Sequence, residues 1–278
     1  MSSNLKTAII PAAGYGTRML PVTKVISKEM LPVGNKPIID YVVDDLIAAG
    51  IERIVIVVKP DEKQIKDYYS EESELKDYLD RQGKPEKYES VESLPGKAEF
   101  VFAYQQPDDP YGTTIPLLKA LEVVGDDEPI IFVYGDAMPW KPGGKSLLKP
   151  YIKAWEKSGA VGAMLGLEVP KDQVSAFGVV ETDANDNFVQ IVEKPAPEDA
   201  PSNIINIGGL ILPTGVHAIA EQTQVDEGSG EYYITDVVNQ LVEDGVYVHA
   251  LDQSTHFLDV GTPASFARSN RIVAEADL

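Results

Sequence analysis

The run Thr7-Ala8-Ile9-Ile10-Pro11 breaks directly into Ala12-Ala13-Gly14-Tyr15-Gly16-Thr17-Arg18, and this junction constrains the fold more than any other feature of the chain. A short apolar run bounded by glycine reads as a buried strand. Beyond the turn, Ile39, Val42, Val43 and Leu46 recur at helical spacing, with Asn35 as the expected N-cap, Pro37 near the first helical position and Gly50 as the stop. A second apolar run at 53–58 follows at once. Strand, helix, strand in that order is the pattern of a right-handed parallel βαβ unit, so the chain reads as α/β.

The remaining apolar runs predict strands at 99–104, 130–134, 161–169, 178–181, 188–192 and 209–212, and helices at 115–123, 145–158, 234–243 and 263–275. Residues 61–97 are charged, rich in Tyr and Glu, and lack a strong period, which predicts helical pieces in an irregular excursion. No internal repeat or low-complexity linker is present. The simplest organisation is one continuous α/β body over residues 1–278, which suits a chain of 278 residues.

Composition removes whole classes of chemistry. The chain has no cysteine, so disulfides, thiolate metal sites and cysteine nucleophiles are excluded. A formal charge of −20 repels a nucleic-acid backbone, and no apolar run is long enough to span a bilayer, so neither nucleic acid nor membrane is an expected partner. The polar start lacks a signal-peptide core, and the expected location is the cytoplasm. His217, His249 and His256 share no metal-ligand spacing, and no GxSxG elbow or Ser/His/Asp set appears.

What remains is phosphate and carboxylate chemistry. The two glycines after the first strand let backbone N–H groups approach a ligand, while Arg18, Lys24 and Lys28 place three cations beside that turn in a strongly acidic chain; together they suit a triphosphate. The turn fits neither G-x-G-x-x-G, since position 19 is Met, nor the Walker pattern. Gly135-Asp136 follows the strand at 130–134, where open α/β sheets bind ligands; Asp136 is either a ligand to a hard cation or the cap of the next turn.

The stretch from Ala8 through Pro11-Ala12-Ala13-Gly14-Tyr15-Gly16-Thr17-Arg18 to Lys28-Glu29-Met30-Leu31-Pro32 resembles the signature of the sugar nucleotidyltransferases, and its KEMLP core is most similar to bacterial glucose-1-phosphate uridylyltransferases. The resemblance covers nearly the whole chain. It implies a Rossmann-like, mixed, mostly parallel sheet flanked by helices, with inserted sugar-binding elements. It also implies a mainly nucleotide-binding half at 1–140 and a mainly sugar-phosphate-binding half at 141–278.

The implied reaction joins UTP and glucose 1-phosphate, with Mg²⁺ as cofactor, in a homodimer or homotetramer. Ala12, Ala13 and Gly14 would meet the nucleoside, with Gly16, Thr17, Gln106 and Gly112 completing the nucleotide set. Arg18, Lys28 and Lys194 would act on the phosphates. Asp136 and Asp259 would hold the metal, Asp259 having a helix cap as its plainer alternative. Val192-Glu193-Lys194-Pro195 resembles the sugar-phosphate site, where Glu193, Gly178 and Asn203 would complete the pocket. Gly230-Glu231-Tyr232-Tyr233-Ile234-Thr235-Asp236 resembles a segment opening a helix near the sugar.

One region departs from the family pattern. Gln105-Gln106 is followed by Pro-Asp-Asp-Pro-Tyr-Gly-Thr-Thr-Ile-Pro, with Thr113 and Thr114 where Leu and a small residue are usual, and Pro116 at the start of the helix that lines the base. Thymidylyl transfer, or another sugar 1-phosphate, is the alternative within the class; a catalytically silent nucleotide-sugar-binding relative is the alternative outside it.

Overall fold

Alternation inside the apolar runs settles which side of the sheet each residue serves. Ala8 and Ile10 join one core with Ile54, Ile56, Val58, Ile131 and Val133, against Ile39, Val42, Val43 and Leu46 of the first long helix, Ile38–Ala49. Ile9, Val55, Val57, Ile130 and Phe132 point the other way, onto Leu117, Ala120 and Leu121 of the helix Thr114–Val124. Period 2 in the strands and about 3.6 in the helices thus generate a helix, sheet, helix sandwich.

The computed structural model describes residues 4–71 and 73–276. Its strands are β1 (Thr7–Pro11), β2 (Pro32–Val33), β3 (Lys36–Pro37), β4 (Arg53–Val58), β5 (Glu99–Tyr104), β6 (Ile130–Phe132), β7 (Ala137–Trp140), β8 (Gly162–Glu168), β9 (Gly178–Thr182), β10 (Phe188–Glu193), β11 (Ile204–Leu212), β12 (Val246–Leu251) and β13 (His256–Asp259). The main sheet runs β10-β9-β11-β6-β1-β4-β5, with β8 paired to β11 and β12 to β8. β6, β1, β4 and β5 are mutually parallel, and so are β8 and β12, whereas β11 and the β9–β10 pair run antiparallel. This is the expected mixed sheet, and the first βαβ unit lies in its parallel part, between β6 and the edge strand β5.

Several boundaries differ from expectation. Asn35 is not the N-cap of the first long helix: it lies in the turn of the β2–β3 hairpin, and Pro37 occupies the cap position without a side-chain hydrogen bond. Gly50 ends that helix as expected, at φ 104°, donating its N–H to the carbonyls of Leu46 and Ile47. The strand expected at 130–134 stops at Phe132, and the one expected at 209–212 begins at Ile204. β7, β12 and β13 are additional: β7 contains a proline, and β12 carries His249 within an alternating run. Residues 61–97 form short helical pieces, as expected, including Gln64–Tyr68 and Ser73–Arg81.

Two long-range ties set the frame of the site. Asp45, buried in the first long helix, accepts the N–H groups of Leu147 (3.1 Å) and Leu148 (3.4 Å), satisfying orphan donors where the helix Leu148–Ser158 begins. The second tie is a backbone bridge from Gly112 to Tyr232, flanked by Tyr232 N–H to Tyr111 C=O (3.0 Å) and Thr114 N–H to Tyr232 C=O (3.0 Å). Gly112 has φ 141°, and a Cβ there would lie 2.3 Å from the Tyr232 backbone. Only glycine permits that approach. Among the described residues, no helix is long and apolar enough to cross a membrane.

Gly112→Ala should therefore cost about 3 kcal/mol, combining positive-φ strain with a backbone clash. Gly143→Ala, also at positive φ but with open space around its Cβ, should cost about 1 kcal/mol. Urea unfolding midpoints of the two variants check the difference; equal losses would show that the bridge is not rigid.

Candidate active site

A cavity of about 430 Å³ opens where β1, β5 and β6 end. The turn after β1 contributes Ala13, Gly14, Gly16, Thr17 and Arg18, the segment after β5 contributes Gln106 and Gly112, and the segment after β6 contributes Tyr134 and Asp136. Carboxyl ends of parallel strands at a reversal of strand order form such a crevice because the diverging connections leave a gap. Here the reversal falls between β1 and β6, with β4 and β5 on one side and β11 on the other.

At the floor of the cavity, Lys28 Nζ lies 2.8 Å from Asp136 Oδ2. Gly135 brings the two together, because a Cβ there would sit 2.8 Å from Ile10 and 3.2 Å from Glu29, so the chain after β6 lies directly on β1 and on the Lys28–Met30 turn. Burial alone would lower the Lys28 pKa, but the Asp136 and Glu29 carboxylates outweigh it and the value is raised. Lys28 is therefore a fixed cation across neutral pH.

Asp259 is brought beside the connection after β6 by strand pairing, without itself lining the cavity. β13 runs antiparallel to β7, placing Asp259 opposite Ala137, and Val260 N–H donates to the Asp136 carbonyl at 3.1 Å. A Cβ on Gly261 would stand 3.0 Å from Asp259 Oδ1 and 3.1 Å from an Arg18 guanidinium nitrogen, so Arg18 and Asp259 converge on one point. Asp259 does not cap the following helix, Pro263–Ala276. Thr262 and Ser265 do, with Ser265 N–H donating to Thr262 Oγ1 (3.1 Å) and Thr262 N–H to Ser265 Oγ (3.0 Å). Two carboxylates held by adjacent strands are a hard oxygen set suited to a divalent cation that draws its other ligands from phosphate and water. Among the described residues no group of three or more His, Asp or Glu side chains is placed to hold a metal ion.

The residues expected around the sugar lie apart from this cavity. Gly178 and Glu193 are register partners where β9 meets β10, and Lys194, at φ 46°, donates its N–H to Phe177 at 3.0 Å. The Glu193 side chain lies outside the described part of the structure. Asn203 donates its side-chain amide to Val169 C=O (3.2 Å) and accepts Val169 N–H on its carbonyl (2.9 Å), fixing the start of β11. Ala12 is buried and spends its N–H on Val57 (2.7 Å), so it closes the sheet beneath the cavity instead of lining it. Gln106 is exposed at the rim, its N–H held by Asp109 at 2.6 Å.

Glu29 was not singled out from the sequence, yet it lines the cavity with 1% exposure. Neither of its side-chain oxygens has a hydrogen-bond partner, and Lys28 Nζ stands 3.8 Å away. Burial pushes its pKa up to about 7, with the Asp136 charge adding to the effect. A carboxylate wedged between Lys28 and the apolar Met30-Leu31 was the available signal. Tyr111, Glu231 and Gly261 also line the cavity without having been assigned there.

A glycine turn with Arg18, Lys28 and Asp136 above the carboxyl ends of a parallel sheet defines a site of the kind that binds nucleotide phosphates. The nucleotidyl transferase family matches residues 7–276, and the chain belongs to that family. It is 34% identical over 245 residues to the UTP–glucose-1-phosphate uridylyltransferase of Pseudomonas aeruginosa, covering 87% of this chain and 86% of that one. To the enzyme of the same name from Mycoplasma pneumoniae it is 32% identical, covering 97% and 92%. The apo crystal structure of a UDP-glucose pyrophosphorylase superposes with a TM-score of 0.86 at 28% identity over 99% of this chain and all of that one. A UTP-bound UGPase from Acinetobacter baumannii gives 0.82 at 27%, over 97% and 93%.

The raised Glu29 value has a measurable consequence in the metal-free protein. Its folded pKa of about 7 lies above the ordinary 4.5, so the stability linked to its proton is fully present below about pH 4.5 and is lost as pH rises to about 7. Glu29→Gln should match wild type near pH 4.5 and exceed it by about 3 kcal/mol at pH 8. Denaturant melts at the two pH values check this; a difference independent of pH would show that Glu29 does not titrate in this range.

Proposed function

We infer that the chain joins UTP to glucose 1-phosphate, forming UDP-glucose and releasing pyrophosphate. The observation that carries this reading is the Lys28–Asp136 pair beneath a glycine turn bearing Arg18, in a chain that shares most of its length with two uridylyltransferases. Nearly all of the cavity lining comes from the first 136 residues, which supports a nucleotide half at 1–140 and a sugar-phosphate half at 141–278. Structures similar to this one hold UTP in one case and UDP-glucose in another.

Both substrates are polyanions, so the protein's work is to offset charge and hold an in-line geometry. Backbone N–H groups of the turn from Ala13 to Thr17 cradle the nucleotide, and Arg18 takes the distal phosphates. Lys28 stays protonated and shifts from Asp136 toward the α-phosphate as charge builds there. Lys194, beside Gly178 and Glu193 where β9 meets β10, holds the sugar phosphate, with Asn203 supporting that edge. No general base is needed, because the attacking phosphate is already ionised near neutral pH. Mg²⁺ between Asp136 and Asp259 would supply Lewis-acid polarisation of the phosphates. A cytoplasmic homo-oligomer belongs to the same reading.

A second reading keeps the reaction and changes the base. The segment from Gln106 to Pro116 departs from the family pattern where the base would lie, which leaves thymidylyl transfer as the alternative.

Pyrophosphate release with Mg²⁺ and glucose 1-phosphate, compared across UTP, dTTP, CTP, ATP and GTP, tests both readings. Turnover with UTP at least tenfold above the others is the expected result, and a dTTP preference would select the second reading. Asp136→Asn should lower UTP turnover by at least about a hundredfold, since it removes a metal ligand and the partner of Lys28. Lys194→Ala should act mainly on the KM for glucose 1-phosphate. An Asp136→Asn enzyme with normal turnover would overturn the assignment.

A further inference from the structure

Cations are scarce in this chain, with 24 Lys and Arg against 44 Asp and Glu, and many are tied to acids: Lys6 to Glu52, Lys36 to Asp44, Lys97 to Asp40, Lys119 to Asp109 and Lys141 to Asp252. Lys24, Lys59 and Lys63 are exceptions. Among the described residues none of the three has a carboxylate within 4 Å, and all three line one cavity of about 270 Å³. Lys59 Nζ instead lies 4.7 Å from the centre of the Tyr15 ring. In a chain with a surplus of 20 negative charges, three such lysines on one concave surface form a local anion trap.

The cavity is braced on two sides. Ser27 N–H donates to Gln64 Oε1 at 3.1 Å, Gln64 returns its amide to the Val25 carbonyl, and Thr23 Oγ1 donates to Gly16 C=O at 2.8 Å. Two carboxylates belong to the wall, Asp61 and Glu62. Glu62 is occupied: it is buried and accepts from Ser27 Oγ and from Ile65 N–H at 3.1 Å. The lysine-bearing segments after β1 and after β4 are thus fixed to one another before any ligand arrives.

Its position relative to the active site is informative. Gly14, Tyr15, Lys28 and Lys59 wall both cavities, so the two are neighbours across the glycine turn. Along the sheet, the β9–β10 edge carrying Gly178 and Lys194 comes first, then β6 with Asp136 beyond its end, then β1 with the glycine turn, and finally β4 leading into Lys59. In an in-line displacement the attacking and leaving oxygens stand on opposite sides of the phosphorus. A sugar phosphate arriving from the β9–β10 side therefore expels its leaving group toward β4, where the three lysines stand.

We propose that this second cavity is the receiving site for pyrophosphate, held by Lys24, Lys59 and Lys63 after it leaves the nucleotide. This rests on the transferase reading above. In that step an oxygen of the sugar phosphate bonds to the α-phosphorus, the bond from α-phosphorus to the bridging oxygen breaks, and the electron pair departs on that oxygen. Pyrophosphate gains one negative charge at the moment it separates, and the lysines take up that charge. Ammonium groups are strongly hydrated point charges on flexible stems, suited to an anion that must also be released.

The test combines two readouts on wild type and the variant Lys63→Ala, whose lysine lines the second cavity and not the first. The first is inhibition of UDP-glucose synthesis by added pyrophosphate, alongside the KM for UTP. The second is calorimetric titration of magnesium pyrophosphate into protein without nucleotide, with inorganic phosphate as the comparison. The proposal expects the pyrophosphate inhibition constant and dissociation constant to rise about tenfold while the KM for UTP changes less than twofold. An unchanged inhibition constant overturns it, and so does an equal rise in the UTP and pyrophosphate values, which would place this lysine on bound triphosphate. If wild type makes no UDP-glucose, the transferase reading fails on its own, and calorimetry still decides the cavity: wild-type binding of pyrophosphate lost in the variant supports it, and equal binding overturns it.

Discussion

The ion pair between Lys28 and Asp136 is the contact on which the rest of the site depends, because it joins the connection after β1 to the connection after β6 at the point where the sheet reverses its order. A lone ammonium brought this far from water would lose its proton more readily, and a lone carboxylate would hold one. Paired with Asp136, Lys28 stays ionised. Glu29, buried with no hydrogen bond to its carboxyl and with Lys28 Nζ only as near as 3.8 Å, shows the effect of burial: its carboxyl is pushed up to about 7. The same environment therefore holds Lys28 as a fixed cation beside Glu29, a group that changes charge near neutrality.

That sorting answers the problem posed by the composition. A protein carrying a charge of −20 repels nucleotides at long range, so attraction has to be local and to come from cations not already spent on the chain's own acids. Arg18 beside Gly261 and Lys28 on Asp136 meet that requirement at the mouth and floor of the cavity. The late segment also matters. Without β13 lying against β7, Asp259 and Gly261 would not meet the connection after β6, and the carboxylate pair would be single.

The sequence read well wherever one local rule was enough. β1, β4 and β5 are apolar runs bounded by glycine or by charge, and their limits agree with the structure to the residue. The glycine turn and Asp136 were legible because strand ends in parallel sheets place ligand-binding residues predictably. Asn35 misled because a good capping residue beside a proline also makes a good hairpin turn, and only the β2–β3 pairing decides between them. Glu29 escaped notice because burial of a carboxylate is a property of the assembled fold: Gly135, more than a hundred residues away, closes over it. Asn203, expected beside the sugar, has its amide engaged with Val169 away from the cavity, a pairing that depends on the register of β11 against β8.

The segment that departs from the family pattern makes structural sense once its partner is known. Thr113, standing where an apolar residue is usual, accepts the N–H of Ile234 on its hydroxyl at 2.9 Å, so it satisfies the first turn of the helix Ile234–Gln240 that follows Glu231-Tyr232-Tyr233. Pro116 is the third residue of its helix, where the missing N–H would have had no intrahelical acceptor. Both changes leave the helices intact and tighten one junction, the loop that carries Tyr111 and Gly112 over the cavity. Because that loop is held to the Tyr232 backbone by two hydrogen bonds, the cavity wall at Tyr111 and Gly112 and the segment from Glu231 to Tyr233 cannot shift independently. In this chain the connection after β5 and the segment opening the helix Ile234–Gln240 are therefore coupled through the backbone, whereas Lys28 is held by its own pairing with Asp136.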